Sequence, residues 1–91
     1  MSNIRLEALK PGQSAIISQI NTEPGLEQRL LAMGFRIGRQ IFVLRCGWLS
    51  GPLHVRIGTT EVMLRRQEAS QIEVTNVNNF QLRPVNPGAA A

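Results

Sequence analysis

Cys46 and His54 are the only cysteine and histidine in the chain, and the acids are six glutamates with no aspartate. These side chains are the first to weigh for a Cys–His dyad, a carboxylate acid–base pair or a metal site. Cys46 falls on the apolar parity of a strand-like segment, where a thiol behaves as a small hydrophobe. His54 has the opposite parity on its own segment, so a Cys–His dyad is not expected. Glu61, Glu68 and Glu73 sit on different elements, and nothing beside them marks one as acid and another as base. A structural zinc site wants four Cys or His ligands, and an iron site wants clustered His and carboxylates. This chain offers neither set. Gly34, Gly38, Gly47 and Gly51 do not form a phosphate-cradling loop between a strand and a helix, and no Gly-Lys-Ser/Thr follows any of them. No catalytic residue, metal ligand or cofactor is assigned, and the chain reads as a binding or regulatory module.

The remaining chemistry is that of arginine. The formal net charge is +4, with nine arginines and Lys10 against six glutamates. A guanidinium presents a planar fork that suits carboxylates and phosphates. Arg45, Arg56 and Arg65 share outward parity on three consecutive strand-like segments, which raises nucleic acid as an alternative partner. Single-strand binders also interleave exposed aromatic rings with the basic residues. Of Phe35, Phe42, Trp48 and Phe80, only Trp48 reads as exposed, so nucleic acid ranks behind a protein partner.

Ninety-one residues with 43% hydrophobic composition provide one small core. No apolar run approaches the roughly 20 residues of a membrane helix, and Arg5 and Glu7 do not suit a signal-like start. With a single cysteine and hence no internal disulfide, a cytoplasmic location is expected.

The elements follow from spacing. Ile4, Leu6 and Leu9 suit an arm tucked on a core, and Pro11-Gly12 makes a turn. Residues 14–20 (SAIISQI) are a β-branched strand whose adjacent Ile16 and Ile17 leave the buried face open. Thr22 or Glu23 precedes Pro24 as a helix cap, and Leu26, Leu30 and Met33 mark one helical face, with Leu31 widening it. Gly34 suits the left-handed closing position. From Arg39 to Cys46 the alternation sets Phe42, Leu44 and Cys46 on one face. Ile41 and Val43 share the other with Arg39 and Arg45. A loop over 47–52 follows, then inward Leu53, Val55 and Ile57 against outward His54 and Arg56. Gly58-Thr59 fits a Gly-first hairpin, returning through inward Val62 and Leu64. One helical turn over 66–70 leads to a closing strand at 72–74. The whole is mainly β, a very small barrel of five to six strands with one short inserted helix. It occupies residues 1–75, and 76–91, rich in Asn, Pro and Ala, are expected to be a flexible tail. Within that tail Phe80 and Leu82 are the residues able to dock.

Several pieces of this pattern recur together in one family. They are Leu9-x-x-Gly12 before the first strand, Arg29-Leu30 with Met33-Gly34-Phe35 and Gly38 at the helix exit, and the Gly51-Pro52 loop. The ending Leu64-Arg65-Arg66-x-Glu68-Ala69-x-x-Ile72-x-Val74 is the most specific of them. On these residues the chain resembles FeoA-domain proteins over 6–74. The resemblance implies an SH3-like barrel and a non-enzymatic, accessory role in ferrous iron uptake. It also implies contact with the cytoplasmic GTPase region or the membrane domain of a FeoB transporter. This chain departs from the common pattern in having no Asp near the Gly-Pro loop.

Two surfaces are candidates for that contact. One is the helix edge and its exit, with Leu31, Phe35 and Ile37 near Arg29 and Arg36; Leu31 and Phe35 have core packing as their other use. The second is the Trp48-Leu49 loop tip, where an exposed Trp and Leu would anchor a contact. Pairing of exposed strand edges into a homo-oligomer is a further alternative.

Overall fold

The computed structural model describes residues 3–47 and 51–80. The amino-terminal arm forms β1 (Ile4–Arg5) and a 3-10 turn (Leu6–Ala8), and then β2 (Gln13–Ile20) begins. Helix α1 (Pro24–Ala32) is followed by β3 (Gln40–Cys46), β4 (Leu53–Ile57) and β5 (Thr60–Leu64). A single turn of helix, α2 (Arg66–Ala69), leads into β6 (Ile72–Asn79). The six strands make one antiparallel sheet in the order β1-β6-β2-β3-β4-β5. Leu6, Ile17, Leu30, Phe35, Ile41, Val55, Leu64, Ile72 and Val74 are all buried in one core, so every longer strand and α1 contribute to it. The expected single β domain with one helix is what forms.

Local chemistry sets the entry and exit of α1. Glu23 takes the cap position without a side-chain bond, and the Thr22 hydroxyl donates instead to the Glu23 carbonyl at 3.2 Å. Neither residue caps as expected; Pro24, whose missing N–H costs nothing there, fixes the start. At the other end Gly34 has φ 98°. Its N–H donates to the Leu31 carbonyl at 3.0 Å, and the Phe35 N–H reaches back to the Leu30 carbonyl at 2.9 Å. This paired closure satisfies two orphan carbonyls and brings Leu30 and Phe35 together in the core. A nine-residue helix is marginal alone. Leu30 and Phe35 bind it to the sheet.

The parity expected for β3 is wrong over most of the strand. Ile41 and Val43 are fully buried, whereas Phe42 and Leu44 are only partly covered. The cause is a bulge. Val43 faces Val55 and Arg45 faces His54, so Leu44 is an extra residue on β3. Beyond it Cys46 pairs with Leu53 and packs on the core, which is where the thiol was expected. A second bulge in β2 resolves its ambiguity. Ile17 pairs with Val74 and Gln19 with Glu73, leaving Ser18 over; Ile17 is the buried one of the two adjacent isoleucines.

The boundary expected at residue 75 also moves. β6 runs on to Asn79 and pairs Asn78 with Ser14 and Asn79 with Gln13. Asn76, at φ 54°, is in the left-handed region that asparagine tolerates, and it supplies the bulge that the run of polar residues hid. Phe80 then donates its N–H to the Gly12 carbonyl at 2.7 Å and sets its ring edge-on to Phe42, with centroids 5.0 Å apart. Residues 81–91, including Leu82, lie outside the described residues.

Phe35 and Leu31 should respond differently to truncation. Phe35→Ala is expected to cost about 3–5 kcal/mol, and Leu31→Ala, at a site 40% exposed, less than about 1 kcal/mol. Urea unfolding followed by circular dichroism checks both. Comparable losses would mean that Leu31 belongs to the core after all.

Candidate functional site

The groups that could do chemistry are spread over the barrel, with one close pair among them. His54 and Glu61 pair at 2.9 Å on the outer face of β4 and β5. The Glu68 carboxylate accepts the Arg65 N–H at 2.9 Å and closes the first turn of α2. Glu73 accepts from Asn21 at 2.8 Å and Asn3 at 3.4 Å, tying β6 to the loop after β2 and to the amino-terminal arm. Cys46 packs toward the core, away from the face that carries His54. Among the described residues no three His, Cys, Asp or Glu side chains gather where a metal could sit. Glu68 and Glu73 serve structure, and His54 with Glu61 is the one His–carboxylate pair among the described residues.

The basic row is broken as well. Arg45 and Arg56 do lie on the outer face of β3 and β4, opposite His54 and Phe42. Arg65, however, is the residue that starts α2 and borders a cleft between α1 and α2 with Glu23, Leu26, Arg29, Gln67, Glu68 and Gln71. The ring that could stack a base is already used. The Arg56 guanidinium covers the Phe42 face at 4.6 Å, and Phe80 takes its edge. A stacking platform for nucleic acid is thereby occupied from within the chain.

What the surface does offer is apolar. An open groove of about 440 Å³ lies beside the exit of α1, lined by Ile20, Glu27, Leu31, Arg36 and Ile37. Leu31 is 40% exposed and Ile37 68% exposed. The backbone explains why Ile37 stands out. The Arg39 N–H donates to the Arg36 carbonyl at 3.0 Å, and Gly38 has φ 92°, which together make a type II turn with Ile37 at its first corner. Gly38 N–H to Ile17 O at 2.8 Å and Ile17 N–H to Arg39 O at 2.9 Å fasten that turn to β2. A β-branched side chain is thus held in solvent by a rigid backbone.

Of the residues expected at the helix edge and exit, the structure brings Leu31, Arg36 and Ile37 to one groove. Phe35 is fully buried and offers a partner nothing, since the closure of α1 turns it inward. Arg29 faces the polar cleft beside α2 instead. Trp48 and Leu49 lie outside the described residues, although Gly47 N–H to Pro52 O at 2.7 Å ties the two ends of their loop. Sequence reasoning missed Ile20 and Glu27. Glu27 was legible, because it precedes Leu31 by one helical turn and so shares its face. Ile20 had no local signal; the sheet alone carries it there.

With this geometry in view, comparison with known proteins is decisive. The FeoA domain model matches residues 4–76. The chain belongs to the FeoA family. It is 36% identical over 76 residues to the Fe(2+) transport protein A/Fe(2+) transporter FeoB fusion protein of Porphyromonas gingivalis; the match takes in 84% of this chain and 9% of that protein. A putative Fe(2+) transport protein A from Campylobacter jejuni is 36% identical over 69 residues, 76% of this chain and 93% of that protein. Among solved structures, the zinc complex of Stenotrophomonas maltophilia FeoA, described as a prokaryotic SH3 domain protein, has a TM-score of 0.76 at 24% identity. It covers 86% of this chain and 99% of that one. The SH3-like fold is therefore established, and the family is one associated with ferrous iron transport. No helix among the described residues is long and apolar enough to cross a membrane.

The Phe80 contact yields a test of where this FeoA domain ends. Phe80→Ala is expected to cost about 1–2 kcal/mol, from the lost ring pair and its buried area, and thermal unfolding measures it. No loss would return the boundary to residue 75.

Proposed function

We propose that this protein is a non-enzymatic accessory of a FeoB-type ferrous iron transporter, which it engages in the cytoplasm through the groove at the exit of α1. One observation supports the choice of partner: in Porphyromonas gingivalis a region 36% identical to this chain is joined covalently to the transporter. A covalent linker holds two domains at an effective concentration of about a millimolar. Where the two are not joined, a surface whose burial supplies the affinity is needed instead. The groove suits that task, with Ile20, Leu31 and Ile37 as aliphatic walls and Glu27 and Arg36 as opposite charges among them. Such a surface fits an apolar segment with a charge on either side. The Stenotrophomonas protein has been described as a candidate activating factor for ferrous iron transport, in keeping with a modulating role and no chemistry of its own. Self-association is the second reading, and it rests on β5, which ends the sheet and pairs only with β4.

The test is retention of purified FeoB, and separately of its soluble GTPase region, on the immobilised protein at physiological salt. Wild type should retain one of them, and Leu31→Asp should lower that retention at least tenfold by placing a charge in the groove. Arg29→Gln, outside the groove, should leave it unchanged. Equal retention by Leu31→Asp would remove the groove from the reading, and no retention of active transporter would remove the partner. Sedimentation of the free chain over a range of concentrations separates the self-association reading from both.

A further inference from the structure

Ile37 lines the groove, but 68% of it faces solvent, which makes it the most exposed of the large aliphatic side chains described. Burying an isoleucine stabilises a fold, so an exposed one held rigidly represents stabilisation given up at that position. Flexibility does not account for it. Gly38 and three backbone hydrogen bonds, two of them to β2, fix the turn that presents it. Its neighbours are informative. Arg36 and Arg39 close the turn on either side, both are exposed, and among the described residues no carboxylate bonds to either. Arg39 extends over the β4–β5 hairpin, where its Nη2 lies 3.0 Å from the place a side chain on Gly58 would begin. The hairpin tip, Gly58-Thr59-Thr60, is uncharged and joins the same edge of the molecule. The acids on the adjoining elements are Glu27 inside the groove and Glu61, which is engaged by His54 at 2.9 Å.

We propose that the turn from Arg36 to Arg39 is a membrane-surface contact that seats Ile37 among the headgroups of an anionic bilayer, with the two guanidiniums on lipid phosphates. A projecting aliphatic corner between two cations fits an interface that is apolar within and anionic at its rim. A bilayer surface leaves both arginines hydrated and pairs each fork with phosphate. The contact is weak by construction, because two arginines against Glu27 leave a local formal charge of +1. The proposal does not rest on the transporter reading, because lipid alone is the ligand.

Co-sedimentation with vesicles of phosphatidylglycerol and phosphatidylcholine, against pure phosphatidylcholine, tests it on the full chain. Wild type is expected to partition onto the anionic vesicles only, and less as salt rises. Ile37→Ser should lower the partition about tenfold, and Arg36→Gln with Arg39→Gln about thirtyfold. Arg45→Gln, on the outer sheet face, should change it little, and unfolding temperatures should match throughout. No binding to anionic vesicles would overturn the proposal. So would Ile37→Ser binding like wild type, which would reduce the effect to diffuse charge, or competition by millimolar glycerol phosphate, which would indicate a free-anion site. Since the vesicles hold no transporter, failure here leaves retention of FeoB unaffected, and the reverse holds too.

Discussion

The chain must leave α1 and enter β3 in the seven residues between Ala32 and Gln40, and it has to reverse direction twice in that span. Everything distinctive about the surface depends on how it does so. Gly34 adopts a left-handed conformation to close the helix, which turns Phe35 inward onto Leu30. Gly38 adopts the same sign of φ four residues later and turns the chain outward through Ile37. A side chain with a Cβ is disfavoured at both places, at about 1–2 kcal/mol each. At Gly34 an added Cβ would also touch Ile57 Cγ2 at 3.4 Å. The large aromatic residue and the exposed isoleucine, only one residue apart, therefore have opposite fates for a single backbone reason.

A barrel of this size also depends on bulges. A short sheet of six strands can enclose a core only by coiling tightly, and extra residues at Ser18, Leu44 and Asn76 supply the local bends. Each bulge shifts the parity of the residues beyond it. Arg45 and His54 end on one outer face and Cys46 and Leu53 on the inner one because Leu44 is left over. The extended β6 gives β2 a partner over its whole length, and its end brings Phe80 onto Phe42. That contact consumes an aromatic surface which would otherwise have been free to stack.

Core and surface compete for few apolar residues in such a small protein. Among the described residues fifteen hydrophobic side chains are buried, and those left outside are informative because they are scarce. Leu31 and Ile37 meet at one groove, while Ile4, Met63 and Val77 are exposed elsewhere, and several ionisable groups take structural roles. Glu68 closes a helix turn, Glu73 ties β6 to Asn21 and Asn3, and Arg66 holds the Glu7 carbonyl at 2.9 Å.

The sequence by itself determined the elements and their order, because turns and caps are local chemistry. Pro11-Gly12, Gly34, Gly58-Thr59 and the alternation of 53–57 each state a conformation within a few residues, and each forms where expected. Only the tertiary structure decided which parity of β3 faces inward, since a bulge shows only against the partner strand. It alone extended β6 through a polar run, where the gain comes from pairing with β2 and no local propensity announces it. It separated Phe35 from Leu31 and Arg29 from Arg36, residues that adjacency in the chain had grouped as one surface. Ile20 reached the groove by the same route, since a groove is made between elements and its far wall carries no mark in either segment.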